Sequence, residues 1–242
     1  MRIIVSLTSI PSRIGNIERT LNSILNQKVR PDTISLNIPE VCRRSPKKGY
    51  EIPEHVQKIP SVRIVRTPYD HGSSMKLLPV LDYEKDPESI IVTVDDDHEY
   101  DDGFIETLLG YERRYPDCAL GFNGWLVRPL IEENRYEFIE EYLEKPVQAD
   151  VLEGYRGVLY KPRFFDRSIF DYRGFPEVSH KVDDVWISAH LAKRGVVRLV
   201  LPGVYSREFE LPRGLHKSLS FKRYNRIMAK EFDKRGFWQK RP

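Results

Sequence analysis

Residues 89–100 read SIIVTVDDDHEY, and the fold follows from them. Ile90, Ile91, Val92 and Val94 make a short run of β-branched apolar side chains. A run this short and this apolar predicts a strand buried on both faces, in the middle of a sheet. Three carboxylates, Asp95, Asp96 and Asp97, follow directly. In an open parallel sheet, ligands bind at the carboxyl ends of the strands. Carboxylates crowded at one site repel each other unless a cation is present. Oxygen donors of this kind suit Mg²⁺ or Mn²⁺, which commonly bridge one or two carboxylates and substrate phosphates. A solvated acidic turn, with Asp101 and Asp102 capping the next helix, is the plainer reading. The buried strand just before the triplet weighs against it. An EF-hand loop starting at Asp95 fails, because Tyr100 stands where a glycine is needed and a strand precedes it.

Towards the N-terminus the same alternation repeats. Arg2–Leu7 reads as a buried strand, followed by the turn TSIPSR. Ile14, Ile17, Leu21, Ile24 and Leu25 then recur at helical spacing up to Asn26, with Ser12 as the expected N-cap. Strands are predicted at Thr33–Ile38 and Val62–Arg66, and a short helix over Ser73–Leu81 interrupted by Pro79. A helix is predicted from Phe104 to Arg114. This alternation over the first 120 residues marks βαβ units and a mostly parallel sheet flanked by helices. An aspartyl-nucleophile phosphatase would carry its acids on the first strand, which here ends in Thr8-Ser9.

By this topology Thr8, Ser9 and Arg13 lie near the carboxyl end of the first strand. There they can hold a nucleotide base or phosphate, or form an ordinary turn. Arg66 ends the third strand, and Gly72-Ser-Ser-Met-Lys76 leads into a helix whose N-terminus can meet an anion. No Walker A loop is present. Beyond residue 120 the pattern is less regular, with apolar stretches at 119–127, 157–160 and 196–201. Two helices are predicted, Asp184–Arg194 ending at Gly195 and Ser218–Arg235 ending at Gly236. Asp183 and Asp184 open the first of these, either as favourable charges on the helix dipole or as a general base. His216 sits in the loop before the last helix, where a late metal ligand is possible.

The chain has 242 residues, 40% hydrophobic and 31% charged, which excludes disordered and collagen-like classes. Its net charge of +3 hides an uneven distribution: residues 82–144 carry −14 and residues 213–242 carry +8. The acidic block suits cations. The basic tail, with Lys217, Lys222, Arg223 and Arg226, suits phosphate or an anionic membrane surface, and no nucleic-acid-binding motif accompanies it. The two cysteines, Cys42 and Cys118, have no metal spacing and make no disulfide framework. With no signal peptide and no apolar run of roughly 18–20 residues, a cytoplasmic protein is expected.

The ordered set TSIPSR, DHGSSMKLLPVL, IIVTVDDDHEY, EGYRGVLY, DDVWISAHL and a late histidine resembles the GT-A fold glycosyltransferases near family 2. The resemblance is nearest to compact enzymes of bacteria and large DNA viruses, and it runs from about Arg2 to His216. It implies an α/β GT-A (Rossmann-like) domain over residues 1–216, with a nucleotide-sugar-binding half to residue 120 and an acceptor half beyond. Residues 217–242 then form a basic C-terminal helix or the start of a linker. The implied activity is hexosyl transfer from a nucleotide-sugar, a UDP-sugar favoured, to a glycan or glycoconjugate hydroxyl, in a bacterium or a virus-infected cell.

The resemblance also assigns roles. The DxD motif falls on Asp95-Asp96-Asp97, so Asp97 would bind Mn²⁺ or Mg²⁺. Asp95 would hold the ribose or a metal-bound water, and Asp96 the donor sugar or ribose. Thr8, Arg66 and Lys76 would bind nucleoside and phosphates. Asp184, or else Asp183, would be the base of an inverting displacement, and His216 a further metal ligand. Gly154, Tyr155 and Gly157 would line the sugar and acceptor side. The QxxRW motif of processive members is not evident, which favours single additions. Competing readings are a sugar-phosphate nucleotidyltransferase, for which TSIPSRIG is a poor glycine-rich loop, a non-catalytic glycan- or nucleotide-binding module, and a retaining transferase.

Overall fold

The strand that ends in the acidic triplet lies near the middle of the sheet, and every residue of it is buried. The computed structural model describes residues 2–139, 142–210 and 220–238. In chain order the strands are β1 (Ile3–Thr8), β2 (Thr33–Pro39), β3 (Val62–Thr67), β4 (Ile90–Thr93), β5 (His98–Tyr100), β6 (Cys118–Gly121) and β7 (Gly124–Leu126). They continue as β8 (Glu137–Phe138), β9 (Val147–Gln148), β10 (Val151–Leu152), β11 (Val158–Tyr160), β12 (Val197–Val200) and β13 (Ser206–Glu208). The helices are α1 (Glu18–Leu25), α2 (Glu54–Gln57), α3 (Leu78–Tyr83), α4 (Phe104–Glu112), α5 (Val127–Glu132), α6 (Asp183–Lys193) and α7 (Ser220–Lys234).

Eight strands form the main sheet in the order β3-β2-β1-β4-β11-β6-β12-β9. The first four run parallel, and β12 runs parallel to β6. Between these parallel groups, β11 is antiparallel to both neighbours, β4 and β6. The chain builds outward from β1 to β3 and then returns to the other side of β1 with β4. This reversal opens a crevice at the carboxyl ends of β1 and β4, where loops leave in opposite directions. The register pairs Ser6 with Thr93, so Thr8-Ser9 and Asp95-Asp96 project from the same edge.

Alternation along the strands divides the core. Val5 and Leu7 of β1 and Val92 of β4 face the side covered by α1 and α4. Ile4 and Ile91 face the side covered by α3, α5, α6 and α7. Helix α7 belongs to this second core: Met228, Ala229 and Phe232 are fully buried, and Phe232 lies 5.4 Å from the Trp186 ring. Arg226 on its other side donates to the carbonyls of Leu130 and Ile131 at 3.0 and 3.1 Å, satisfying the open end of α5.

Two sequence expectations need correction. The helix expected from Ile14 is split into a 3₁₀ turn at Ile14–Asn16 and α1, and Ser12 does not cap it. The amides of Arg13 and Ile14 already bond the Ile10 carbonyl, which removes the donors a cap would serve. Pro79 does not interrupt a helix either. Gly72–Lys76 is a 3₁₀ turn, and Pro79 sits in the first turn of α3, where no amide donor is needed. Glycines end α6 and α7 as expected, with left-handed backbone at Gly195 (φ 73°) and Gly236 (φ 71°). Among the described residues no helix is long and apolar enough to cross a membrane.

Candidate active site

A cleft of about 750 Å³ opens at the crevice between β1 and β4. Thr8, Ser9 and Arg13 line it from the β1 side, and the triplet Asp95–Asp97 from the β4 side. Lys76 enters from the 3₁₀ turn before α3, and Asp183 and Asp184 from the first turn of α6. Tyr155 closes the far wall.

The charges in this cleft are arranged in two chains. Lys76 contacts Asp95 and reaches Asp183 at 3.0 Å. Burial alone would lower the Lys76 pKa, but Asp183 and Asp95 more than offset it, and the ammonium is held well above its usual range. Arg13 bridges Asp96, at 3.1 Å, and Asp97. Ser9 Oγ donates to Asp96 at 2.6 Å, and His98 Nδ1 lies 3.0 Å from Asp97.

The carboxylates therefore differ in acidity. Burial would raise Asp97, but the His98 contact and the Arg13 guanidinium outweigh it, and Asp97 is held below the usual carboxylate range. Asp96 is pushed up to about 6 by burial, against the opposing pull of Arg13 and Ser9. Asp184 is raised well above the usual range by burial first and by the neighbouring Asp183 charge second. Asp184 accepts the Gly154 amide at 2.8 Å, whereas Asp183 is answered by the Lys76 ammonium. Asp184 opens on the cleft.

Most residues singled out in the sequence converge here, with four exceptions. Arg66 lies exposed on β3, the edge strand, and does not line the cleft. Gly157 does not line it either. Its backbone is left-handed (φ 88°), and a Cβ there would stand 2.3 Å from the Phe104 ring, so it is a packing glycine. Gly154 sits behind the carboxylates and serves through its amide; a Cβ would meet Lys76 Nζ at 2.9 Å. His216 lies outside the described residues.

Sequence reading missed several lining groups. Tyr50, from the polar loop after β2, donates to the Ser9 carbonyl at 3.1 Å. Glu153 is pushed up to about 7 by burial and accepts from Asn123 Nδ2 at 2.5 Å. The same amide lies 2.6 Å from the Tyr155 hydroxyl. Glu153 opens the EGYRGVLY stretch and directly precedes Gly154, whereas Tyr50 has no such neighbour.

The donor chemistry fits a hard divalent cation. Asp95 and Asp97 offer carboxylate oxygens, Asp97 stays ionised, and Asp95 is the least buried of the pairs around Lys76, with 28% side-chain exposure. Among the described residues no group of three or more His, Cys, Asp or Glu is poised to hold a metal alone. Both carboxylates are already paired, Asp95 with Lys76 and Asp97 with Arg13, so an ion there would need further oxygens such as substrate phosphates.

No family model matches the chain, and no curated protein sequence matches it. Among solved structures it is similar to residues 1–349 of S. aureus TarS, with a TM-score of 0.52 at 12% sequence identity. The match covers 85% of this chain and 60% of the TarS chain. The likeness is one of fold: a mixed α/β domain whose large, mostly parallel central sheet is flanked by helices, similar to a glycosyltransferase fold.

Proposed function

We propose that the chain is a metal-dependent glycosyltransferase that moves a sugar from a nucleotide-sugar, a UDP-sugar favoured, to an acceptor hydroxyl on a glycan or glycoconjugate. The observation that carries this reading is the division of labour among the carboxylates. Arg13 pairs with Asp96 and Asp97, Lys76 links Asp95 to Asp183, and next to that pair the Asp184 carboxyl is raised by burial and by the Asp183 charge. TarS, whose fold this chain resembles, is a GT-A-like glycosyltransferase, which supports the same reading.

In this reading the nucleoside lies against Thr8 and Ser9, and the diphosphate approaches Arg13 and Lys76. Asp95 and Asp97 are the residues that would hold Mn²⁺ or Mg²⁺, whose charge would offset the charge building on the leaving diphosphate. The acceptor oxygen attacks the anomeric carbon from the face opposite the diphosphate. As that bond forms, the bond from the anomeric carbon to the phosphate oxygen breaks, and Asp184 takes the acceptor's proton. The sugar passes through an oxocarbenium-like state, and its configuration inverts. Arg13 and Lys76 are fixed by their ion pairs before donor arrives, so positive charge stands ready where negative charge develops.

The test uses water as the acceptor, since the natural acceptor is not needed for it. Each nucleotide-sugar is incubated with the protein and Mn²⁺, and the released sugar is followed by proton NMR from the first minutes. The expected product is the sugar with inverted anomeric configuration together with the nucleoside diphosphate. Release of inorganic diphosphate from a nucleoside triphosphate, with no sugar released from any donor, would instead support nucleotidyl transfer.

A further inference from the structure

A second, shallower groove lies beside the cleft and shares Arg43 and His180 with it. Its surface is aromatic, from Tyr69, Phe170 and Tyr172, and its rim carries Arg43, Arg167 and Arg173. The reaction proposed above uses none of it. The segments that build it nevertheless run straight into the cleft. Tyr69 precedes the turn that ends in Lys76, and His180 stands three residues before Asp183.

The chemistry of the groove is that of a saccharide site. Tyr69 is 43% exposed, and Phe170 and Tyr172 are half-buried. Arg167 lies 4.5 Å over the Phe170 ring, and Tyr172 packs on His180 and Trp186 at 4.1 and 4.2 Å, so Tyr69 is the exposed aromatic surface. An exposed aromatic ring takes the C–H face of a sugar, while polar groups at its edge take the hydroxyls. Burial and the nearby Arg43 lower the pKa of His180. Its Nδ1 is buried with no hydrogen-bond partner among the described residues.

The arginines add a preference for negative charge. Arg167 and Arg173 are answered by Asp82 and Asp171, each at 2.7 Å. Arg43 donates from Nε to the Asp70 carbonyl at 2.9 Å and lies 5.0 Å over the Tyr69 ring. The Asp70 carboxylate is spent on the backbone amides of Arg43 and Gly72, both at 2.7 Å. Among the described residues, the two terminal nitrogens of Arg43 make no hydrogen bond, and they stand where the groove meets the cleft. A guanidinium fork matches a carboxylate or phosphate in two-point contact.

We propose that this groove binds an anionic saccharide, with the sugar ring on Tyr69 and its phosphate or carboxylate on Arg43. If the transferase reading holds, this is the portion of the acceptor beside the hydroxyl that receives the new sugar. Binding itself does not depend on that reading.

The test is a binding titration read by intrinsic fluorescence, because Trp186 stacks on Tyr172 with centroids 4.2 Å apart. The probes are glucose 6-phosphate and glucuronate, with glucose and inorganic phosphate as references. At least one acidic sugar is expected to bind tenfold or more tightly than both references. Tyr69→Ala is expected to weaken that binding at least tenfold, and Arg43→Gln to remove the advantage over glucose. Asp97→Ala, which alters only the cleft, is expected to leave binding within twofold. The proposal is overturned if neither acidic sugar outbinds the references, if Tyr69→Ala binds as the wild type does, or if Asp97→Ala abolishes binding. Tight acidic-sugar binding in a protein that turns over no donor would sink the transferase reading and leave this site standing.

Discussion

The Lys76 ammonium sits 3.0 Å from Asp183, while Asp184 next to it accepts the Gly154 amide at 2.8 Å. Burial and the neighbouring Asp183 charge raise the Asp184 carboxyl above its usual range. Asp184→Asn is expected to lower donor turnover by about 10²–10⁴-fold, the usual contribution of a general base. It is not expected to lower the melting temperature at pH 7.5. The pKa of Asp184 is higher folded than unfolded, so between those values the native state binds more protons and stability falls as pH rises. Removing that carboxylate removes the penalty, and Asn keeps an acceptor for the Gly154 amide. Differential scanning calorimetry of the variant checks this, with a melting temperature equal to or above wild type expected. Asp183→Asn acts through the same coupling. Without the Asp183 charge the Asp184 pKa drops, so the acid limb of the pH–rate profile is expected to move to lower pH. A limb that stays in place would show that Asp184 is not the titrating base. At this scale the sequence was most readable where acids stand against apolar runs, as at Val94-Asp95 and Val182-Asp183. Tyr50 was not readable, because what makes it a lining group is its contact with Ser9, 41 residues away; Glu153 lay inside the quoted EGYRGVLY stretch, but its contact with Asn123 was not legible there.

At the scale of elements, two loops are locked together to make the carboxylate pair. Gly72 has φ 65°, and a Cβ there would stand 1.8 Å from the His180 carbonyl oxygen. No side chain fits, so the turn carrying Lys76 and the turn leading to Asp183 touch backbone to backbone. Gly72→Ala has to separate them or distort both. The expected cost is about 1–3 kcal/mol of stability, the scale for a residue forced into strained backbone. Activity is expected to fall further than stability alone explains, because Lys76 and Asp183 are displaced relative to each other. Chemical denaturation and donor turnover on the same sample separate the two effects. The sequence located these turns but not their form. Pro79 looks like a helix interruption in sequence, whereas it opens α3. Ser12 looks like a cap, whereas the Ile10 carbonyl does that work.

For the whole molecule, alternating apolar runs and amphipathic helices were enough to read a mostly parallel sheet flanked by helices, with the cleft at the carboxyl end of β4. The antiparallel insertion of β11 between β4 and β6 was not legible. Nothing local in Val158-Leu-Tyr160 records its direction; it follows the 3₁₀ turn at Gly154–Arg156 and Gly157, which packs against Phe104. The uneven charge along the chain also becomes spatial here. The acidic triplet meets Arg13 and Lys76 from the basic N-terminal third, so the cleft is charged but internally matched. Arg226 of the basic C-terminal segment is committed to α5 and is not available to a distant anion.

The central claim is that this matched cleft is a donor site for a nucleotide-sugar with a divalent cation. Thermal-shift measurement across UDP-, GDP-, CMP- and dTDP-sugars, each with and without Mn²⁺, addresses it directly. A ligand bound only by the native state adds about 2.7 kcal/mol of stability at 100 times its dissociation constant. The account predicts a shift with the sugars of one nucleotide, larger with Mn²⁺, and loss of that Mn²⁺ dependence in Asp97→Ala. No shift with any donor in the folded protein, or a shift identical with and without Mn²⁺, would contradict it.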